Sequence, residues 1–242
     1  MIKLSIITIV YNDKSGLKET KASLGVIPDW CEWIIVDGNS SDGTKEYALS
    51  QRKQFVTVIS EKDHGIADAF NKGILASRGR YIAFINAGDQ ITKNYFEYLN
   101  CFFDKYGDFN CLVGKIKFGN RVIGKKIGKQ KQLFRNYLPH QGMVINSSMF
   151  EKVGSYDMSF DLGMDYEWSL RVLDLLDSFY FVDEVLCDMD ANGTSITNYR
   201  KTFKMYHKAR IKNCVCNYFI SALMSQFLIL RVSLGNFIKG RF

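Results

Sequence analysis

Residues 80–89 read Arg80-Tyr81-Ile82-Ala83-Phe84-Ile85-Asn86-Ala87-Gly88-Asp89, and the reading of the whole chain turns on them. Tyr81–Ile85 is an unbroken apolar run rich in β-formers, long enough for a buried strand and too short for a helix. It stops at Asn86, so a small polar turn is carried at the carboxyl end of a core strand. Open α/β sheets bind their ligands at that edge. Asp89, reached through Gly88 and beside the Asn86 carboxamide, suits an oxygen-seeking divalent cation that carries phosphates. The plainer alternative is a strand-to-helix turn with Asp89 as a cap.

Upstream the arrangement recurs. Leu4–Val10 reads as a buried first strand ended by Tyr11-Asn12-Asp13, and Leu17–Leu24 fits a short helix. Cys31–Val36 is a second strand. It is followed by a loop rich in Gly, Ser, Asn and Asp, in which Asp42 or Thr44 can cap the next helix. Val56–Ile59 is a short third strand leading into Glu61–Gly65. Ile66, Ala69, Phe70, Gly73 and Ile74 share one face of a helix, with Asp68, Asn71 and Lys72 off it. Strands alternating with helices in this way predict a doubly wound parallel sheet.

Each of these strands breaks into an acid- or amide-bearing turn: Asn12-Asp13, Asp37, Asp63, then Asn86 with Asp89. Parallel strands put such turns on one edge, which predicts a converged site. Neither GxGxxG nor GxxxxGK[ST] follows the first strand. Without a glycine cradle, phosphate needs a metal bridge or basic side chains. The pattern therefore points to a nucleotide diphosphate held through Mg2+ or Mn2+, with carboxylates left over for base and ribose.

With 242 residues, 47% hydrophobic and 14% aromatic, the chain has enough apolar material for a substantial core. The six cysteines form no CxxC pair, so scattered reduced thiols are expected rather than a zinc site. Leu4–Tyr11 is too short for a signal peptide and lacks a cleavage site. The net charge of +7 is uneven: residues 191–242 carry nine Lys/Arg and no acid. A second acid-free block, from Lys115 to Arg135, carries eight. Such blocks attract nucleic acid, anionic lipid or diphosphates alike.

The stretches Ser5–Asn12, Ile34–Thr44, Ser60–Gly73 and Phe84–Asp89 resemble, in order and spacing, the inverting family 2 glycosyltransferases of GT-A fold. The likeness is greatest to the branch that builds colanic acid and other surface polysaccharides. His140-Gln141 and Gly163–Arg171 look like that branch's acceptor-side motifs, and Asn192–Ser195 like its closing loop; the resemblance covers roughly residues 3–198. It implies an α/β GT-A (Rossmann-like) fold, a mixed, mostly parallel sheet flanked by helices, with a nucleotide-sugar-binding half (1–110) and an acceptor and catalytic-base half (111–198). A basic helical segment (199–242) follows.

Carried across, the resemblance implies that Thr8, Val10, Tyr11 and Asp37 line the nucleoside pocket, and that Asp63 and Asn86 hold the same donor. Asp89 would be the metal-binding acid, although Asn86 and Gly88 stand where further acids are common. A metal there leans on diphosphate oxygens and water. Asp165 would be the catalytic base, at the start of a helix expected over Tyr166–Leu176, and His140, Gln141 and Trp168 would meet sugar or acceptor. By residue type alone, Asp165 also suits a helix N-terminus, where the dipole keeps a carboxylate ionised, and the neighbouring acids Asp161 and Glu167 stay open as the base; the resemblance singles out Asp165. The implied donor is UDP- or GDP-linked, and the implied acceptor a glycan or a polyprenyl-diphosphate-linked glycan.

Cys111–Phe118 reads as a strand entering a Gly119-Asn120 hairpin, and the lysine-rich segment beyond it as a solvated hairpin or a basic flap over diphosphates. Gly142–Ile145 reads as another strand. Tyr218–Leu230 is apolar, interrupted by Gln226 and shorter than a spanning helix. It suits an anionic bilayer surface or a helix packed on the domain. The expected enzyme is cytoplasmic and peripheral at the inner face of a membrane, with no nucleic-acid partner because no reading module is present. Two rivals stand: a sugar-nucleotide pyrophosphorylase, and an inactive membrane-surface adaptor of the same fold.

Overall fold

The computed structural model describes residues 1–190 and 198–238; the Asn192–Ser195 motif lies outside the described residues. Four parallel strands form one half of the sheet: β1 (Leu4–Val10), β2 (Cys31–Asp37), β3 (Val56–Ser60) and β4 (Tyr81–Phe84). β1, β2 and β4 are buried almost throughout, as continuous apolar runs covered on both faces must be. Between them lie α1 (Lys14–Leu24), α2 (Thr44–Ser50) and α3 (Ile66–Ala76). Alternate side chains feed two layers. Ile7, Ile34 and Phe84 face α3, whereas Ile6, Trp33 and Ile35 face the opposite layer. A Cβ on Gly73 would fall 2.4 Å from Cγ2 of Ile7, so this glycine lets α3 lie directly on β1.

The second half completes the same sheet rather than forming one of its own. After β5 (Gln90–Ile91) and α4 (Tyr95–Tyr106) come β6 (Cys111–Phe118), β7 (Arg121–Ile123), α5 (Lys129–Phe134), β8 (Met143–Asn146), α6 (Ser148–Val153), α7 (Met164–Arg171) and β9 (Tyr180–Met189). The strand order is β3-β2-β1-β4-β8-β6-β9-β5, with β7 paired to β6. β8 runs antiparallel to both β4 and β6, and β6 runs parallel to β9. Six strands thus point one way and β5, β7 and β8 the other. The sheet is mixed and mostly parallel, not purely parallel as the alternation over the first ninety residues alone suggests.

α4, α6 and β9 have no counterpart among the expected elements, and the helix expected over 166–176 is α7 followed by a 3-10 turn, Leu173–Ser178. β7 is exposed along its length, as a solvated hairpin strand is.

The basic C-terminal segment holds α8 (Tyr199–Lys212) and α9 (Tyr218–Ile238). α8 packs on the start of α7: the Tyr166 and Tyr206 rings are 4.0 Å apart, and Tyr206 lies against Gly163. α9 is longer than the apolar core read from sequence, and Tyr218–Gly235 is long and apolar enough to cross a membrane by length and composition. Its inner face nevertheless packs on the protein through Ser221, Ser225 and Leu228, while Phe219, Ile220, Leu223, Phe227, Leu230 and Leu234 are exposed. Fully buried Arg210 joins these parts. It donates to Leu133 O and Phe134 O at the end of α5, to Tyr166 Oη, and to Ser221 O and Ser225 Oγ on α9.

Candidate functional site

The register brings the strand ends together. Val10 lies opposite Asp37 and Asp37 opposite Ser60, while Ile7 pairs with Phe84. The residues after Phe84 therefore leave the sheet beside the end of β1, and Ala87 N still donates to Ile9 O. Because β8 is antiparallel to β4, its entrance, the 3-10 turn His140–Gly142, reaches the same edge.

Asp37 is fully buried at that edge. Ser40 N donates to both its oxygens at 3.3 Å, and Ser60 Oγ donates to Oδ2 at 2.7 Å. Asp63 sits beside it across Gly38, where an added Cβ would lie 2.9 Å from Asp63 Oδ2 and 3.1 Å from the Tyr11 ring. Burial raises the Asp63 pKa, and Lys72 Nζ at 2.8 Å works against that rise. Burial alone would lower the Lys72 pKa, but its bonds to Asp63 and Glu61 outweigh this and raise it. Tyr11 stands exposed at the mouth, as a stacking ring would. Thr8 and Val10 are buried, and the Thr8 hydroxyl donates to Ile85 O at 2.6 Å and accepts from Trp33 Nε1 at 2.8 Å. Thr8 thus ties the strands together beneath the pocket instead of lining it.

The Asn86–Asp89 turn is locked from within. Gly88 takes φ +90°, a region that favours glycine. Asn86 N donates to Asp89 Oδ2 at 3.1 Å, Asp190 N to Asp89 Oδ1 at 3.0 Å, and Thr20 Oγ1 to the carbonyls of both Asn86 and Asp89. Burial pushes the Asp89 pKa up to about 6, against the opposing pull of those N–H groups and of the Gln141 side chain. Asn86 Oδ1 is buried and accepts nothing, the only such side-chain atom among the described residues. Beside the turn, an open groove of about 400 Å³ runs past Gly88 and Asp190 between Glu19 and Lys117.

A divalent cation fits this turn only in part. Asp89 accepts an N–H at each oxygen and a further bond from Gln141, which leaves lone-pair capacity for a ligand bond, and the orphaned Asn86 oxygen can supply another. Among the described residues no group of three His, Cys, Asp or Glu side chains could hold a metal. A cation that arrives with diphosphate oxygens suits the donor set, whereas a bare one does not.

On the acceptor side, His140 is enclosed by aromatic rings. It stacks on Phe84 at 4.5 Å, meets Phe70 edge-on at 5.2 Å, and its Nε2 lies 2.6 Å from Tyr156 Oη. Burial lowers its pKa to about 3. The ring is a neutral part of the floor. Trp168 is buried against Phe150 and Tyr156 and donates to Gly154 O at 3.2 Å, so it belongs to the core and offers no face to a sugar.

Asp165 opens α7 behind Gly163 and accepts from Asn136 Nδ2 at 2.8 Å. Burial raises its pKa, opposed by the N–H groups of Tyr166 and of Asp165 itself and by Asn136. Asp161, a neighbouring candidate, is exposed and paired with Lys201, and Glu167 is buried and paired with Arg171. The edge thus gathers Asp37, Asp63, Asp89 and Gln141, and Asp165 lies by Asn136 and near Tyr156, the partner of His140. Sequence reasoning passed over Asn136, Gln132, Tyr156 and Asp190. Only Asp190 carried a signal, as an acid directly after a strand.

Glycosyl transferase family 2 matches residues 5–156 of the chain. A Mycobacterium tuberculosis protein, named as an uncharacterized glycosyltransferase, is 29% identical over 209 residues, 78% of this chain and 76% of that protein. S. aureus TarS 1–349, solved in complex with UDP-GlcNAc, aligns with a TM-score of 0.67 at 15% identity, covering 94% of this chain and 72% of that one. The chain spans 43% of the longer TarS structure. Mannosyltransferase PcManGT from Pyrobaculum calidifontis, in complex with GDP-Man and Mn2+, aligns with a TM-score of 0.66 at 12% identity over 96% of this chain and 75% of that one. At such identities the likeness speaks for the fold, which is GT-A. The matched segment runs from β1 to Tyr156 and takes in both the Asp37 and the Asn86–Asp89 turns, and by it the chain belongs to glycosyl transferase family 2.

Proposed function

We propose that this protein is an inverting glycosyltransferase of surface polysaccharide synthesis, of the colanic acid type. It moves a sugar from a UDP- or GDP-linked donor to a glycan or a polyprenyl-diphosphate-linked glycan. The observation that supports the reading is the meeting of the Asp37 and Asn86–Asp89 turns with the His140–Gln141 turn at one edge of a single sheet, with Tyr156 between His140 and the neighbourhood of Asp165. TarS and PcManGT, whose complexes hold UDP-GlcNAc and GDP-Man, support a nucleotide-sugar donor.

In this reading Asp37 and Asp63 receive the nucleoside under Tyr11, and the Asn86–Asp89 turn lies at the diphosphate. Asp89 and Asn86 Oδ1 would hold a Mg2+ or Mn2+, which offsets charge growing on the leaving diphosphate. Asp165 takes the proton of the acceptor hydroxyl as its oxygen bonds to the anomeric carbon. The bond from that carbon to the diphosphate breaks on the opposite face, so configuration inverts. The raised pKa of Asp165 strengthens it as a base, provided it is ionised. Lys125 and Lys126, exposed beyond β7, are available to the diphosphate of a donor or lipid carrier.

The exposed apolar face of α9, in a segment of nine cations and no acid, suits the surface of an anionic bilayer. One face already packs on the protein, so the helix lies along the membrane instead of being enclosed by it. In this reading the enzyme is peripheral at the cytoplasmic face, where a lipid-linked acceptor would be presented.

Thermal stabilisation by a panel of nucleotide sugars with Mn2+ tests the reading, since a donor that binds only the folded state raises the melting temperature. The expected result is selective stabilisation by one UDP- or GDP-sugar, followed by acceptor-dependent release of the nucleotide diphosphate. Release of pyrophosphate instead would indicate a pyrophosphorylase, and silence across the panel an adaptor. Asp165→Asn should abolish transfer while sparing donor binding.

A further inference from the structure

We propose that Gln132 and Asn136 are positioning residues that aim the Asp165 carboxylate at the acceptor through a polarised chain of neutral amides. The inference rests on Asp165 being the base. Tyr137 N donates to Gln132 Oε1 at 3.0 Å, and Leu138 N to Asn136 Oδ1 at 3.2 Å. A backbone N–H can only donate, so each contact fixes which end of its carboxamide is oxygen. Fully buried Gln132 then donates from Nε2 to Asn136 Oδ1 at 2.9 Å and to Ser169 Oγ at 2.7 Å. Ser169 gives its own proton to Tyr166 O at 2.6 Å and is free to accept. With its oxygen held from two sides, Asn136 can present only its NH2 to Asp165 Oδ2.

The direction of this chain matters for chemistry. Asn136 pins Oδ2, the N–H groups of Tyr166 and of Asp165 itself also act on the carboxylate, and Oδ1 is the oxygen the proposal turns to the acceptor hydroxyl. The pin is neutral. An arginine or lysine in its place would stabilise the charged carboxylate and weaken it as a base. No ion pair to Asp165 occurs among the described residues, and the titratable groups that face it are the buried phenols of Tyr156 and Tyr206. Burial raises both phenol pKa values well above 10, so both stay uncharged through the working pH range. From α8, Arg210 donates to Tyr166 Oη, whose own proton goes to Leu133 O and not to Asp165.

Asn136→Asp tests this with minimal change of shape. A second carboxylate against Asp165 should move the acid limb of the kcat/KM profile upward by about one pH unit or more. Asn136→Leu, which cannot donate, should lower kcat about tenfold or more with donor Kd changed less than about twofold. Gln132→Met should shift kcat in the same direction and leave donor Kd alone. Melting temperatures report any loss of fold, and the near-isosteric Asp variant keeps the test open if Leu unfolds the protein. A profile for Asn136→Asp that overlays the wild type, in a folded protein, overturns the proposal. Asp165→Asn is the control: retained turnover there removes the base assignment itself. A dead Asp165→Asn beside an unmoved Asn136→Asp profile removes only the positioning role.

Discussion

Nε2 of His140 lies 2.6 Å from the hydroxyl of Tyr156, within a cage formed with Phe70 and Phe84. The contact joins the entrance of β8 to the loop before α7, and burial keeps the imidazole neutral. The folded-state pKa is lowered to about 3 from an ordinary 6.5. The unfolded chain therefore takes up this proton at higher pH than the folded one. Stability from the group is complete above about pH 6.5 and is lost as pH falls towards 3, at up to roughly 1.4 kcal/mol per pH unit. Asp89, raised to about 6, acts in the opposite sense: its contribution is present at low pH and is lost as pH rises through about 6. The two are separated by comparing wild type with His140→Gln in denaturant titrations between pH 3.5 and 7. The variant should show a flatter loss on acidification, and equal slopes would contradict the assignment.

The unpartnered Asn86 oxygen beside Asp89 makes a prediction about metal. Wild-type protein should show little Mn2+ binding heat alone and clear heat when UDP or GDP is present. Asn86→Asp adds a second carboxylate at the orphaned position and should confer measurable Mn2+ binding without nucleotide. Asp89→Ala should remove the metal-dependent heat in both conditions. Isothermal titration checks all three, and strong nucleotide-free binding by the wild type would count against the partial donor set.

Arg210 is fully buried, and among the described residues it bonds only neutral oxygens. Removing it strands the last carbonyls of α5 and the α9 serines in a dry interior. Arg210→Met should cost about 3 kcal/mol or more, lowering the melting temperature by roughly 10 °C. Arg210→Lys, which keeps charge but loses the forked geometry, should fall between. A melting temperature unchanged in Arg210→Met would show that α9 is held by other contacts.

The outer face of α9 predicts binding to anionic lipid. Flotation with vesicles of phosphatidylglycerol and phosphatidylcholine should recover the protein, less so at high salt. Leu223→Glu with Phe227→Glu, both at exposed positions, should abolish recovery without lowering the melting temperature. Equal recovery on neutral vesicles would contradict the electrostatic part.

How far the fold and the site could be read from sequence depended on the range of the interactions. β1, β2, β4 and α3 are local patterns: apolar runs of strand length, and one face at helical spacing. α4 carries its own pattern too, with Tyr95, Leu99, Phe102 and Phe103 buried on one face, yet it followed a turn read only for chemistry. β9 mixes charges with half-buried apolar residues, because its neighbours β6 and β5 leave part of it near solvent. Asp37 and Asp89 were visible as acids ending apolar strands. The burial of Thr8 and Trp168 was not, since both residue types serve pockets and cores alike. Asn136 lies 29 positions from Asp165, and a neutral amide has no signature until the fold brings the two together.

The place of β8 between β4 and β6 has a consequence for any attempt to divide the molecule. A fragment ending near residue 110 would keep β4 but lose the strand that pairs along its outer side. The result would be an apolar edge with a row of open amides and carbonyls, a template for intermolecular β-pairing. The donor-side piece should accordingly be recovered as aggregate, and the two halves should melt in one cooperative transition.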